Sequence, residues 1–253
     1  MPDKYYYDYE WDEKYCYPNS YVLKNKLNIL DSAALNVAER EITAMKILFL
    51  KKNMVKGNFD LKHLQKIHFA IFSDIYNWAG QFRTVDISKG NVFCRSIYLE
   101  SCANDIFKQL KKDNYLLKFK RTEIPHKLAY YLGEINVIHP FREGNGRTQG
   151  LFIEYLAGIN GFNIDFSSVT AHDMIEASAL AFGGNYVKLN ELFDEITDII
   201  PYQEQRNNII SFFGADSEQC ELIESNHNDL EYEVQLRKVN SQEARFTESS
   251  QLR

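Results

Sequence analysis

The sequence predicts a mainly helical protein, and two observations support this fold class. Apolar residues recur at three- and four-residue steps in several successive segments, which is the pattern of helices that bury one face. Only residues 84–99 have the β-branched and aromatic composition of paired strands. The chain has 253 residues, of which 45% are hydrophobic, so it can form one large domain, or one domain with an appendage, around a substantial core.

The first predicted helix covers residues 27–50. Asp31 or Ser32 is its expected N-cap, because both residue types favour that position. Its apolar residues recur at helical spacing and comprise Leu35, Val37, Ala38, Ile42, Met45, Leu48 and Phe49. The preceding residues 1–20 are rich in Tyr, Asp and Glu and predict either an arm that packs on the domain or a frayed terminus.

A second helix is predicted over residues 60–79 and ends at Gly80. The residues on or near its apolar face are Leu61, Leu64, Ile67, His68, Ile71 and Ile75. His68 on such a face is expected to be a hydrogen-bonded core residue and not a ligand. Residues 84–99 follow, and the turn residues 88–91 in their middle predict a β-hairpin.

The remaining helices are predicted over residues 100–117, 122–138, 151–160, 169–182 and 186–199. Thr170 is the expected cap of the helix over 169–182, and Pro201 ends the last one. Residues 201–253 are biased towards acidic residues and rich in Gln, Asn and Ser. They predict one or two loose helices and a disordered end.

Composition excludes several classes of protein. The net charge is −6, whereas a protein that binds a nucleic-acid backbone has a basic domain. The cysteines lack the paired spacing of a zinc site and predict reduced thiols; they are Cys16, Cys94, Cys102 and Cys220. The N-terminus has no apolar signal core, and no apolar run reaches the ~18–20 residues of a membrane helix. We therefore expect a cytoplasmic protein.

The segment with the most chemistry is residues 139–150, H-P-F-R-E-G-N-G-R-T-Q-G, which lies between two apolar helices. Pro140 disfavours helical geometry at His139, so the first helix should end there. Gly144 and Gly146 permit the turns that curl amides into an anion-binding nest, and the second helix adds the positive end of its dipole. These features predict a phosphate site.

Three side chains of this segment suit phosphate chemistry. Arg147 is a cation that can contact phosphate through two hydrogen bonds. Glu143 is a hard oxygen ligand of the kind Mg²⁺ prefers. His139 is a candidate general base, because histidine has an unperturbed pKa close to neutral pH. Each residue alone has a structural explanation, a helix cap or an ordinary turn, but their combination at this spacing favours a catalytic loop.

These residues closely resemble the motif H-P-F-x-(D/E)-G-N-G-R-x-x-R of the Fic family, and they match eight of its nine specified positions. Residues 67–87 resemble the family segment ahead of the active-site flap, and residues 21–28 resemble the start of Fic domains in bacterial toxins and effectors. The resemblance covers residues 15–200. It implies an all-α Fic fold with a small β-hairpin flap over the active site.

The resemblance also implies a function, protein adenylyl transfer, in which AMP passes from ATP to a Ser, Thr or Tyr hydroxyl of a target protein. His139 would be the general base, Glu143 would hold Mg²⁺, and Arg147 would contact the β-phosphate. The backbone amides of Gly144, Asn145 and Gly146 would form the anion hole.

The flap at 84–99 would dock the target by strand addition. The flap residues expected near nucleotide or target are Lys89, Phe93 and Cys94. Asn185 and Tyr186 would line the adenine side, or else serve only in helix capping.

One motif position departs from the family, because Gly150 replaces the second arginine. In the family that arginine grips the γ-phosphate and pairs with an inhibitory glutamate. Loss of one such charge-assisted contact costs ~1.5–3 kcal/mol. We therefore expect weakened but not abolished ATP binding and turnover, and weak restraint by any glutamate.

Regulation, partners and domain division follow from the same resemblance. The nearest match to the inhibitory motif (S/T)-x-x-x-E-(G/N), residues 217–222, lacks the last position, which predicts a separate small antitoxin acting in trans. Neither a nucleic acid nor a membrane is an expected partner.

The expected division is an arm over 1–14, a Fic domain over 15–200 and a polar extension over 201–253. Cytoplasmic location has one alternative, export as an effector. The alternatives in function are another transferase of the superfamily and a catalytically impaired binding module.

Overall fold

A computed structural model describes residues 12–89 and 91–225, and it confirms the mainly helical fold class. The helices are α1 (Ser32–Lys52), α2 (Leu61–Phe72), α3 (Leu99–Lys112), α4 (Ile124–Ile138), α5 (Asn145–Ile159), α6 (Ala171–Phe182), α7 (Val187–Ile196) and α8 (Tyr202–Phe213). The strands are β1 (Ser88–Lys89), β2 (Asn91–Val92), β3 (Phe162–Ile164) and β4 (Thr197–Ile199). No helix of the described residues is both long and apolar enough to cross a membrane.

The helix starts follow local capping chemistry. The Asp31 carboxylate accepts a hydrogen bond from the Ala34 amide at 2.8 Å, so α1 begins at Ser32. The Thr170 hydroxyl accepts one from the Asp173 amide at 3.1 Å and caps α6. Both caps agree with the prediction, because a side chain that satisfies a first-turn amide can be recognised from the adjacent sequence.

Helices α4 and α5 form the centre of the fold. Their predicted apolar faces are buried; the buried members are Leu128, Tyr131, Leu132, Ile135, Ile138, Leu151, Phe152, Tyr155, Leu156 and Ile159. Helices α2 and α8 pack on α5, and α6 and α7 pack on α4. The loop that joins α4 to α5 is therefore held between two rigid, buried elements.

Two predicted helices end earlier than expected. The helix expected to reach residue 117 stops at Lys112, because Asn114, Tyr115 and Leu116 have left-handed backbone angles with φ of 45°, 54° and 73°. The helix expected to reach residue 79 stops at Phe72, and buried turns carry Ile75 and Tyr76 into the core.

The strands differ from the prediction in two ways. The hairpin within residues 84–99 forms as expected but is short, since Ser88–Lys89 pairs only with Asn91–Val92. A second small sheet was not predicted. Residues 197–199, expected to be helical, form β4 and pair antiparallel with β3, Phe162 opposite Ile199. The partner strand is 35 residues away in the chain, so local periodicity did not reveal it.

Much of the apolar pattern of α1 is exposed. Met45, Leu48 and Phe49 have exposed fractions of 70%, 60% and 61%. The buried face of α1 instead consists of Leu35, Glu39, Thr43 and Leu50. A carboxylate and a hydroxyl therefore face the interior, where a polar group needs a partner.

The described part of residues 201–253 packs on the core. Ile209 of α8 is buried, and so are Cys220 and Ile223 of a further helical segment over residues 218–225. Gln205 and Asn208 donate hydrogen bonds to the carbonyls of Ile159 and Gly158 at the end of α5. The predicted terminal arm falls largely on residues 1–11 and the predicted disordered end on 226–253, both outside the described residues. The division into domains stays a prediction.

Candidate active site

His139 stands at the junction between α4 and the motif loop. It is the C-cap of α4 and has left-handed backbone angles, φ 46° and ψ 61°, as expected for a residue whose helical geometry Pro140 disfavours. Its ring Nδ1 lies 3.2 Å from the carbonyl oxygen of Asn136. A carbonyl only accepts, so Nδ1 carries the proton in the neutral ring and Nε2 carries the lone pair.

The flap covers His139. The Phe93 ring, just after β2, stacks on the imidazole with centroids 3.9 Å apart and planes 14° apart. His139 is consequently only 4% exposed. The Cys94 amide donates to the carbonyl of Val137 at 3.0 Å, which fastens the end of the flap to α4.

The buried side chain of Arg83 joins the flap to the motif loop. It donates to the carbonyls of His139 at 2.9 Å, Val85 at 2.7 Å and Cys94, and its own amide donates to Pro140. Burial lowers the pKa of the Arg83 guanidinium below its usual range. One planar cation with five donors thus holds the two ends of the flap and the motif loop together.

The N-terminus of α5 lies where the sequence predicts an anion-binding nest. Gly144 is its N-cap with φ 79°, and a Cβ there would lie 2.1 Å from the Phe72 ring. The first intrahelical bond runs from the Thr148 amide to the Gly144 carbonyl, so the amides of residues 145–147 precede it. The buried Asn145 side chain closes the loop, since it accepts from the Phe141 amide and donates to the Phe141 carbonyl at 2.8 and 2.7 Å.

Glu143 lies beside this nest. Its Oε1 accepts from the Gly144 amide at 2.8 Å and lies 3.5 Å from the Arg147 guanidinium. An anion could use the Gly144 amide only by displacing that carboxylate oxygen. The Glu143 carbonyl is paired with Nε2 of His68 at 3.0 Å, while Nδ1 of His68 accepts from the Gly80 amide at 2.8 Å. Both nitrogens of His68 are engaged and the ring is buried, so it is the satisfied core histidine predicted.

Arg147 is oriented by α1. Its guanidinium donates to Glu39 Oε1 at 2.5 Å and to the Thr43 hydroxyl at 3.0 Å, and it lies over the Phe72 ring at 4.8 Å. The second oxygen of Glu39 accepts from the Tyr76 hydroxyl. Burial, followed by the charge of Glu39, raises the pKa of Tyr76 above its ordinary value, so this hydroxyl keeps its proton.

A cavity of about 600 Å³ brings several predicted site residues together. His139, Phe93, Gly146, Arg147 and Gly150 contribute to its lining, and α6 supplies an apolar wall. This volume is in the usual range for small-molecule sites. Glu143, Gly144 and Asn145 are not among the lining residues. Lys89 pairs with Asn91 in the hairpin, and its side chain lies outside the described structure.

Two other predicted residues do not line the cavity. The Tyr186 hydroxyl donates to Glu134 at 2.5 Å, and the Asn185 side chain accepts from the Val187 amide. These contacts agree with the helix-capping alternative.

Sequence reasoning missed Glu39 and Arg83. The available signal for Glu39 was its spacing of four from both Leu35 and Thr43, which places a carboxylate on the inner face of α1. No comparable local signal distinguishes Arg83. Within the described residues there is no cluster of three or more His, Cys, Asp or Glu side chains that could hold a metal ion by itself. Glu143 is a carboxylate donor beside the start of α5, and it shares the Arg147 guanidinium with Glu39.

The chain is similar in sequence to known proteins. The sequence matches the Fic/DOC family over residues 58–157. The protein adenylyltransferase VbhT of Bartonella schoenbuchensis is 39% identical over 175 residues, which cover 69% of this chain and 37% of VbhT. This chain thus spans little more than a third of that relative. A relative from Escherichia coli strain K12, named "Probable protein adenylyltransferase Fic", is 33% identical over 74% of this chain and 93% of its own length.

Solved structures are similar over the same region. The N-terminal Fic domain of a VirB-translocated Bep effector protein from Bartonella quintana, with bound ADP, has a TM-score of 0.70 and 29% identity, and the match covers 74% of this chain and 95% of that one. BepC from Bartonella tribocorum, with bound AMPPNP, has a TM-score of 0.69 and 25% identity over 75% of this chain and 99% of BepC.

Proposed function

The chain belongs to the Fic/DOC family, and we propose that it is a protein adenylyltransferase, which transfers AMP from ATP to a hydroxyl group of another protein. Relatives named for this activity and related Fic structures that hold ADP or AMPPNP support the proposal. The main observation behind the proposal is that His139, Arg147 and the first turn of α5 lie around the same cavity.

The chemistry assigns a role to the imidazole. The hydroxyl oxygen of the target attacks the α-phosphorus of ATP, the bond from that phosphorus to the bridging oxygen breaks, and pyrophosphate leaves. Nε2 of His139 accepts the hydroxyl proton, because Nδ1–H donates to Asn136. The stacked Phe93 ring keeps the imidazole in place and excludes water from one of its faces.

The phosphates are received by the start of α5. The amides of Asn145 and Gly146 carry the partial positive charge of the helix end, and Arg147 contacts the β-phosphate. Glu143 would hold Mg²⁺, because this ion typically takes one or two carboxylates together with substrate phosphates. The ion would supply charge neutralisation on the phosphates. The position of the Glu143 carboxylate beside the start of α5 fits an ion that arrives with its nucleotide.

The flap and the chain's partners belong to the same proposal. Target proteins dock on the 84–99 segment by strand addition, and the exposed Val92 of β2 lies on that surface. A small antitoxin acts in trans, and the protein works in the cytoplasm of the producing cell or, as an exported effector, of another cell.

The proposed activity is lower than that of a chain with the second motif arginine. A Cβ at Gly150 would lie 3.7 Å from the Phe166 ring, an ordinary contact, so a Gly150→Arg side chain can be accommodated. We predict that Gly150→Arg increases AMP transfer about 10-fold, the effect of one charge-assisted phosphate contact. Initial rates at subsaturating ATP measure this. A rate no higher than the parent's would contradict the role given to Gly150.

Labelled nucleotides test the function itself. The protein is incubated with Mg²⁺, a cell lysate and ATP labelled at either the α- or the γ-phosphorus. Adenylyl transfer labels a protein from α-labelled ATP only, and His139→Ala should lower that label by about 100- to 10,000-fold. Label from γ-labelled ATP would indicate kinase chemistry instead. No label from either nucleotide would support the alternative of a catalytically impaired binding module.

A further inference from the structure

The cavity holds few cationic side chains for a triphosphate. Among the described lining residues the lysines and arginines are Lys51 and Arg147. The Arg147 guanidinium is shared with two carboxylates, Glu39 at 2.5 Å and Glu143 at 3.5 Å. Gly150 adds no charge at the position where the family motif has arginine. A further cation is therefore needed if the cavity is to favour ATP over ADP.

Lys51 lies on the helix that runs alongside Gly150. Helices α1 and α5 point the same way, because Thr43, midway along α1, contacts Arg147 near the start of α5, and Leu50, near the end of α1, contacts Tyr155 further along α5. Ile47, one turn before Lys51, lines the cavity together with Gly150. Lys51 Nζ lies 2.9 Å from Glu154 Oε1, one turn beyond Gly150.

The side chain of Lys51 can reach the level of Gly150. One helical turn is about 5.4 Å, which is within the reach of a four-carbon stem. Side chains on a helix tilt towards its N-terminus, which for Lys51 is the direction of Ile47 and Gly150. The Lys51 side chain is 43% exposed, so it is not fixed by packing, whereas its partner Glu154 is 15% exposed.

We propose that Lys51 supplies a γ-phosphate contact in place of the arginine that Gly150 replaces, and that Glu154 is its partner when no γ-phosphate is present. The lysine contact is weaker than that of an arginine, because an ammonium group cannot present two parallel donors to a phosphate. This inference rests on the proposed function, since it takes ATP as the occupant of the cavity. Burial raises the pKa of the Glu154 carboxyl. When Lys51 moves away, Glu154 can therefore take up a proton more readily than an exposed glutamate would. Lys51 is thus a specificity-determining residue for the triphosphate.

Calorimetric titration with ADP and with AMPPNP, both with Mg²⁺, tests the proposal. Lys51→Met keeps the length of the side chain and removes its charge. It should weaken AMPPNP binding about 10-fold or more, the effect of one charge-assisted contact, and change ADP binding by less than about twofold. Lys51→Met combined with Gly150→Arg should restore AMPPNP binding. Glu154→Gln should strengthen AMPPNP binding relative to ADP, because Lys51 loses its competing partner.

Lys52→Met is the matched control, because Lys52 is exposed on the same helix and does not line the cavity. It should leave both affinities unchanged, and thermal unfolding should show that every variant is folded. Equal weakening of ADP and AMPPNP by Lys51→Met, or no weakening of either, would overturn the role of Lys51 while leaving adenylyl transfer intact. A parent protein that binds neither nucleotide would overturn both the inference and the proposed function.

Discussion

The two motif glycines serve different needs at the level of single residues. Gly144 has φ 79° and touches the Phe72 ring, so both its backbone and its lack of a side chain are required. Gly146 lies in the first turn of α5, and a Cβ there would meet no atom within 4 Å. It lines the cavity, where a methyl group would occupy space that the proposed function assigns to phosphates. Gly144 is thus needed for folding the loop, and we expect Gly146 to be needed for ligand access.

Alanine substitutions separate these roles. Gly144→Ala should lower the free energy of unfolding by about 1–3 kcal/mol, because left-handed geometry and overpacking both disfavour a side chain. Gly146→Ala should unfold like the parent but bind ADP more weakly. Urea unfolding and ADP titration measure the two effects. Equal loss of stability in both variants would contradict this division.

At the level of elements, α1 orients Arg147. The buried Glu39 carboxylate joins Arg147 of α5 to Tyr76, which follows α2. Thr43, one turn later on α1, accepts the second bond from the guanidinium. Arg147 thereby has its orientation set before a phosphate arrives, which reduces the entropy lost on binding.

We predict that Glu39→Ala lowers the free energy of unfolding by about 1–3 kcal/mol, because it leaves the buried Tyr76 hydroxyl without its acceptor. ADP affinity should fall as well, since Arg147 is no longer held in place. Chemical unfolding and calorimetry measure the two effects. Glu41→Ala, an exposed glutamate two residues later, is the control and should change neither. A stable Glu39→Ala protein with parental ADP affinity would rule out this role.

The flap also depends on one side chain from outside it. Arg83 bonds the carbonyls of Val85, Cys94 and His139. Lysine has the same charge but cannot present donors in a planar fork. We expect Arg83→Lys to speed amide hydrogen exchange over residues 85–94 and to lower AMP transfer about 10-fold. Arg95→Lys is the control, because Arg95 is exposed and its contact with Asp86 is an ion pair that lysine can also make. It should leave both close to the parent, and similar effects in the two variants would refute a specific role for Arg83.

At the level of the whole molecule, buried histidines couple stability to pH. Burial lowers the pKa of His63 to about 4 and that of His68 to about 3, from 6.5. Below pH 6.5 the histidines of the unfolded chain bind protons that the folded protein does not. Stability therefore decreases as the pH falls from about 6.5 to about 4 for His63 and to about 3 for His68.

This coupling can be measured by urea unfolding at pH 6.5 and pH 5. Each of the two histidines should contribute a loss of about 2 kcal/mol over that interval. His63→Gln should be less stable than the parent at both pH values, yet the difference between them should shrink by about 2 kcal/mol. His172→Gln changes an exposed histidine and serves as the control. An undiminished difference in His63→Gln would show that His63 is protonated in the folded state.

The amino-acid order was sufficient for features that depend on near neighbours. Caps such as Asp31 and Thr170, the buried faces of α4 and α5, the helix end at His139 and the motif itself involve contacts within a few residues, so helical periodicity and capping chemistry reveal them. Folding in three dimensions determined the remainder. The Glu39–Arg147 pair joins residues 108 positions apart, and the Arg83–His139 bond spans 56. Such partners are selected by how the helices pack, because distant side chains meet only where the whole core brings them together.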